Sequence, residues 1–337
     1  MSIADDIPRL YDAALAQRVR QGIGQVPGGG GVHGSVGLLA QRLAQVRGSA
    51  RPRLERPQLV VFAADHGIAA RTDSAPRVDA AALRVRNLLA GRTAASMFAR
   101  RNGLSLTVID CGLHADLEPH LQLVRIKMAR GTLDSSQGPA MTIGQCRAAI
   151  ERGTRLVTRL PGNVLLLGET GMGNEAAALL MSRLTGIRIA DCAGFGSSGR
   201  ARECAALQAA LDLHVDLANP VALLAALGGL EIAALVGAVL QAARERRVIV
   251  VGGFVTTAAV AVAARLAPAL LERCVFSHGS QANGHARWLQ WLGAEPLLDA
   301  ALCTSESCNA VLAWPLLKSA EQLLETVACA GQAQDSR

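Results

Sequence analysis

Six strand-length runs, each almost unbroken in apolar residues, set the strongest limit on how this chain folds: "QLVVFAAD" (Gln58 to Asp65), "LSLTVIDCG" (Leu104 to Gly112), "NVLLLGE" (Asn163 to Glu169), "GIRIADC" (Gly186 to Cys192), "RVIVVGG" (Arg247 to Gly253) and "RCVFSH" (Arg273 to His278). A strand with one wet face alternates apolar and polar residues, whereas a continuous run belongs to a strand covered on both faces, as in a parallel sheet with crossover helices. Helical stretches such as "DAAALRVRNLLAGRTAASMFARR" and "TTAAVAVAARLAPALLERC" lie between the runs. The repeated order of strand then helix predicts an α/β, doubly wound, mainly parallel sheet, whose ligands gather where strands end and helices begin. The first fifty and last thirty residues are helical in pattern without strands. They predict a small helical domain from residues 1–50 plus 308–337, beside a large α/β domain over 51–307.

Half the residues are hydrophobic but only 3% are aromatic, so Ala, Leu and Val carry the packing; with 34 glycines this suits close helix-on-sheet contacts. The formal charge of +7 comes from scattered arginines, Lys127 and Lys318 being the only lysines. The pattern lacks the concentrated basic face and stacking aromatics of nucleic-acid binding and fits small anionic substrates. Eight cysteines without a CxxC pair are most simply read as thiols of a reduced cytoplasm. The start, "MSIADDIPRLYDAAL", is acidic and amphipathic, unlike a signal peptide. "VALLAALGGLEIAALVGAVLQAA", from Val221, is long enough to span a bilayer, but its Gly-Gly pair and Glu231 favour a buried helix pair.

Four stretches could carry chemistry. In "GETGMGNEA" a strand runs into a glycine turn and a helix, so backbone N–H groups at Gly171 and Gly173 can approach an anion closely. The stretch has neither a Walker lysine nor GxGxxG spacing, and taken alone it is equally a structural turn. "AADHG" puts Asp65 and His66 at the end of the first strong strand, to act in catalysis, to bind metal or only to fix the loop. "SHGSQANGH", with His278, Ser280 and His285, ends another strand, and helix capping by Ser or Asn accounts for it somewhat better than a ligand role. "LCTSESCNAVLAWPLL" sets Glu306 immediately before an apolar helix, as a cap, which the spacing alone favours, or as a general base of raised pKa. No GxSxG elbow is present, so Ser-His-Asp hydrolysis is not supported.

Together these blocks resemble the nicotinate-nucleotide:dimethylbenzimidazole phosphoribosyltransferase family of cobalamin lower-ligand synthesis. The resemblance runs almost the whole chain, from "GSVGLLAQRLAQV" and "VVFAADHGIAAR" through "NLLAGRTAASMFARRNGLSLTVIDCGLHADL", "GPAMT", "LLLGETGMGN" and "LGGLEIAALVGAVLQAA" to "GGF", "SHGSQANGH" and "SESCNAVLAWPLL". It implies a large α/β domain with a small helical domain from both chain ends, in a homodimer whose partner contributes to the site. It also implies a pentosyltransferase that moves the phosphoribosyl group of nicotinate mononucleotide onto a benzimidazole nitrogen, releasing nicotinate and forming α-ribazole phosphate. By the same resemblance Glu306 is the general base and Glu169 the second site carboxylate. Gly171, Met172, Gly173 and Asn174 then cradle phosphate, with Ser305 beside them. Ser74 and Leu83 fall at the aglycone pocket, while Asp65, His66 and His278 support the site. No cofactor or metal is implied, because no pyrophosphate leaves.

The departures from that pattern matter as well. Glu175 and Ala176 stand where the family has paired threonines, "GFGSS" (Gly194 to Ser198) replaces "GRGTG", and Glu203 or Leu207 stands nearest the register of an expected lysine. Ser305, Ser307 and Asn309 replace a glycine-rich surround of the base, and Gly252 replaces an aspartate. Pro76 and Leu83 stand for a tyrosine and a glutamine, which implies an altered aglycone, another azole or a phenol. Two readings follow: a working cytoplasmic phosphoribosyltransferase with shifted aglycone preference, or a non-catalytic paralogue that binds nucleotide or partners an active subunit in a heterodimer.

Overall fold

A computed structural model describes residues 7–25, 34–71, 79–171, 173–192, 200–279, 283–298 and 306–334. Among these residues seven strands form one sheet: β1 (Gln58–Ala64), β2 (Ser105–Gly112), β3 (Leu123–Arg125), β4 (Val164–Glu169), β5 (Val248–Val251), β6 (Cys274–His278) and β7 (Pro296–Leu298). Their order is β3-β2-β1-β4-β5-β6-β7 and every neighbouring pair is parallel. This is the doubly wound α/β sheet expected from the apolar runs.

The two faces show why those runs do not alternate. Val60, Phe62, Leu165, Leu167, Ile249 and Val251 point into a core with α5 (Ile143–Arg159), α6 (Asn174–Thr185), α8 (Pro220–Leu227), α9 (Leu230–Arg244) and α10 (Phe254–Leu266). Leu59, Val61, Val164, Leu166, Val248 and Val250 point to the other face, under α1 (Ala13–Gly24), α2 (Ser35–Arg47), α3 (Ala80–Leu89), α4 (Ala94–Arg101) and α12 (Glu306–Gln334). Each side chain so buried contributes about 1.5–3 kcal/mol before entropy is counted. The remaining helices are α7 (Arg200–Leu213) and α11 (Asn283–Trp291). On the first face, α5 and α9 touch backbone to backbone, for a Cβ on Gly153 would stand 1.9 Å from the Ala234 carbonyl oxygen.

One expected strand is absent. Gly186 to Cys192 forms the left-handed cap of α6 at Gly186 (φ +73°), then a short 3-10 helix, Ile189–Asp191. Only Ile189 and Cys192 of the segment are buried, and the pairing of Arg188 with Asp191 at 3.0 Å closes a turn. Two buried residues cannot hold a strand inside a sheet whose strands need cover on both faces. The strands β3 and β7, of three residues each, are too short to show an apolar run of strand length and escape sequence reading.

Two other expectations are refined. The stretch from Asp79 to Arg101 breaks at Gly91 (φ +71°), and α4 restarts at a capping box between Thr93 and Ser96. The long apolar segment from Val221 divides at Gly228–Gly229 into α8 and α9, as a buried helix pair. Among the described residues no helix is long and apolar enough to cross a membrane. Cys111, Cys146, Cys192, Cys204 and Cys274 are free thiols, but Cys308 is disulfide-bonded, which corrects the reading of all eight cysteines as thiols. Spacing without a CxxC pair does not reveal such a bond.

Candidate active site

In the observed order, successive strands are laid down leftwards from β1 to β3 and then rightwards from β4 to β7. The reversal leaves a crevice beyond the carboxyl ends of β1 and β4, the place where open α/β sheets take ligands. Two of the predicted motifs end there: "AADHG" follows β1, and "GETGMGN" follows β4 into α6.

The glycine turn is fastened at both sides. Thr170 donates its backbone N–H to the Phe62 carbonyl at 2.9 Å, and a Cβ on Gly171 would meet the Ala64 carbonyl oxygen at 2.5 Å and Glu169 Oε1 at 2.7 Å. The turn therefore lies across the end of β1, with the buried Glu169 side chain against it. Gly173 caps α6, whose first residue, Asn174, is exposed. The N-terminus of that helix supplies the partial positive charge and free amides that favour an anion. Met172, the remaining member of the predicted cradle, lies outside the described residues.

The other carboxylate arrives on α12. Ser307 Oγ donates to the Glu169 carbonyl at 3.3 Å, and a Cβ on Gly168 would stand 2.3 Å from Ser307 Oγ. The helix that begins at Glu306 is thus pressed onto the last residues of β4, which brings the backbones of both predicted catalytic acids together. The Glu306 side chain and Ser305 lie outside the described residues, as do Ser74 and Pro76. Leu83 is on α3, exposed, and its neighbour Arg84 donates from Nη1 to the Gly171 carbonyl at 2.6 Å. The α3 helix therefore borders the turn.

Asp65 and His66 face different partners. Asp65 accepts from the His114 backbone N–H at 2.8 Å and pairs with His114 Nδ1 at 3.3 Å. His66 Nε2 meets Glu231 Oε1 at 2.8 Å, both side chains being wholly buried. Burial opposes charge on this imidazole, yet the neighbouring Glu231, by charge and hydrogen bond, raises its pKa above the ordinary value. His278 ends β6, two strands away from β4, its ring centroid 5.0 Å from that of His285 with the planes tilted by 54°. Burial lowers the pKa of His278 to about 4 and that of His285 to about 3, so both are neutral at pH 7. No group of three His, Cys, Asp or Glu among the described residues could hold a metal ion.

The departures find their places too. Glu175 is 6% exposed and contributes to the field that raises the His66 pKa, so its carboxylate turns into the protein. Glu203 and Leu207, in the register of the expected lysine, are both buried. Lys127 is held by Asp110 and Asp116, each at 3.2 Å, and Lys318 by Glu321. Sequence reading missed two residues at the turn, Arg84 and Glu231. Arg84 has no signal beyond its place next to Leu83, whereas Glu231 is marked in the sequence as a lone acid within an apolar segment.

A family model described as phosphoribosyltransferase matches residues 9–334. The chain is 48% identical over 327 residues to the nicotinate-nucleotide–dimethylbenzimidazole phosphoribosyltransferase of Variovorax paradoxus, covering 96% of this chain and 94% of that one. To the protein of the same name from Cupriavidus necator it is 44% identical over 306 residues, 88% of each chain. The crystal structure of the protein of that name from Thermus thermophilus matches with a TM-score of 0.88 at 33% identity, covering 94% of this chain and 96% of that one. With a family model matching 9–334 and relatives similar over nearly their full length, this chain belongs to the nicotinate-nucleotide–dimethylbenzimidazole phosphoribosyltransferase family.

Proposed function

We propose that this protein transfers the phosphoribosyl group of nicotinate mononucleotide to a lower-ligand base, a benzimidazole or a related azole or phenol, and releases nicotinate. The observation that carries this reading is the seating of α12 on Gly168 and Glu169, which brings the start of the Glu306 helix to the glycine turn at the head of α6. The 5′-phosphate lies at the N-terminus of α6, against Gly171, Met172, Gly173 and Asn174, with Ser305 beside them. Ser74 and Leu83 line the aglycone pocket. The bond from C1′ to the nicotinate nitrogen breaks, and the electron pair neutralises the departing pyridinium. The incoming nucleophile bonds to C1′ and gives its proton to the Glu306 carboxylate, while Glu169 stabilises the positive charge developing on the ribose. Orientation of C1′ between leaving group and nucleophile supplies most of the remaining acceleration. The family's small helical part (1–50 with 308–337), its large part (51–307), a dimer and a cytoplasmic location belong to the same reading.

The test is nicotinate release from nicotinate mononucleotide with a panel of benzimidazoles, azoles and phenols. Turnover with at least one base, lost in Glu306→Gln, is expected. Absence of turnover across the panel, with the protein alone and with a close paralogue added, overturns the reading. It would favour instead a nucleotide-binding partner subunit, a second reading that rests on the buried Glu203 and Leu207 at the lysine register.

A further inference from the structure

His66 and Glu231 take no part in the chemistry above, yet they sit directly behind the glycine turn. Glu231 is the second residue of α9, where the helix N-terminus favours a carboxylate. Its Oε1 stands 2.8 Å from where a Cβ on Gly173 would be, and both carboxylate oxygens stand 2.6 Å from that position on Gly229. The carboxylate thus rests against the residue that caps α6 and, at 2.8 Å, bonds the imidazole that follows β1. Among the described residues His66 Nδ1 and Glu231 Oε2 have no hydrogen-bond partner, so the geometry of the pair depends on their one mutual bond. A wholly buried ion pair is a poor source of stability in itself. Its position gives it another use.

We propose that His66 and Glu231 are positioning residues for the phosphoribosyl donor: the pair holds Gly173 at the head of α6, and the imidazolium balances the Glu231 carboxylate behind the seat of the 5′-phosphate. This rests on the reading of that turn as the phosphate seat. The groups facing His66 are Glu231 from α9, Glu175 from α6 and Asp65 from the end of β1, and Asp65 is itself paired with His114. Cys111, on β2 beside Glu231, stays a neutral thiol because burial raises its pKa well above the ordinary value. A neutral His66 would leave the Glu231 carboxylate without its counter-charge behind a site for a dianion.

Wild type, Glu231→Gln and Glu231→Asp are compared in nicotinate release between pH 6 and 9, with circular dichroism to confirm folding. Glu231→Gln is expected to raise KM for nicotinate mononucleotide about tenfold while kcat and KM for the base stay within about twofold. The alkaline limb of kcat/KM moves to lower pH by about one unit, because the imidazolium loses its counter-charge, and Glu231→Asp recovers part of both losses. Equal changes in both KM values, or an unmoved alkaline limb, overturn the proposal. Should Glu231→Gln fail to fold, histidine-labelled wild type is titrated by NMR with and without nicotinate mononucleotide. His66 is expected to titrate above its ordinary range and higher still with the nucleotide, and a resonance that ignores the nucleotide overturns the proposal. Calorimetry separates the two levels of failure. Nucleotide binding equal in wild type and Glu231→Gln sinks the dyad alone; a wild type that neither binds nor turns over sinks the phosphate seat and the dyad with it.

Discussion

Replacing Gly168 by alanine tests whether the contact between β4 and α12 sets the position of the two proposed catalytic acids, Glu169 and Glu306. A Cβ there would lie 2.3 Å from Ser307 Oγ, 2.7 Å from Ser307 Cβ and 2.9 Å from Ser307 Cα. Carbon contacts settle near 3.5–4.0 Å, so the start of α12 must recede by about 1 Å. Overpacking of this kind costs about 1–3 kcal/mol. With an unfolding entropy of roughly 0.7 kcal/mol/K for 337 residues, Tm falls by about 1–4 °C. The larger effect is on rate, because displacing a reacting group by about 1 Å lowers kcat on the order of a hundredfold. The assay pairs thermal unfolding by circular dichroism with nicotinate release at saturating substrates. Gly24→Ala, at the end of α1 with nothing within 4 Å of the new Cβ, is the control and should leave kcat unchanged. Ser307→Gly removes two of the three close contacts, so the double variant should regain much of the lost kcat despite about 0.5 kcal/mol of helix propensity surrendered. A Gly168→Ala enzyme with wild-type kcat, or a double variant no better than the single one, refutes the reasoning.

Arg84→Ala removes the exposed donor to the Gly171 carbonyl; KM for nicotinate mononucleotide should rise about three- to tenfold with Tm nearly unchanged, as saturation kinetics and melting curves will show. Gly153→Ala forces a Cβ to within 1.9 Å of the Ala234 carbonyl oxygen on the facing helix, and should lower Tm more than Gly168→Ala while leaving the KM values of the folded fraction unaltered. The His278 and His285 pair makes stability depend on acid pH. Burial lowers their pKa values to about 4 and about 3, so the unfolded chain takes up protons first. Their contribution is complete above the unfolded value of about 6.5, and is lost as pH falls through the folded values. Urea unfolding between pH 7 and 3 should show that loss, and His285→Gln should reduce its slope.

The sheet was legible because its strands are covered twice. Val60 and Val61 point to opposite cores, and each core needs an apolar residue, so the pattern is written continuously along the chain. The same criterion misjudged Gly186 to Cys192, where apolar residues are adjacent in sequence but only two of them are buried. It passed over β3 and β7, edge strands of three residues that half-buried contacts suffice to hold. Among the proposed site residues, the placing of Glu169 and the glycines at the end of a strand and the head of a helix was legible because the order strand, glycine, helix is local. Arg84 was not, since its partner, the Gly171 carbonyl, is 87 positions away.

By itself the sequence determined the layered α/β class, the glycine turn and the family, because hydrophobic period, turn chemistry and motif order are properties of neighbours along a chain. Only the tertiary structure decided that Glu175 turns inward, that neither lysine reaches the turn, and that His66 bonds Glu231 across 165 positions. Those outcomes depend on which buried charges meet once strands are ordered β3-β2-β1-β4-β5-β6-β7. In a dehydrated interior, the partner a charge finds outweighs its place in the sequence.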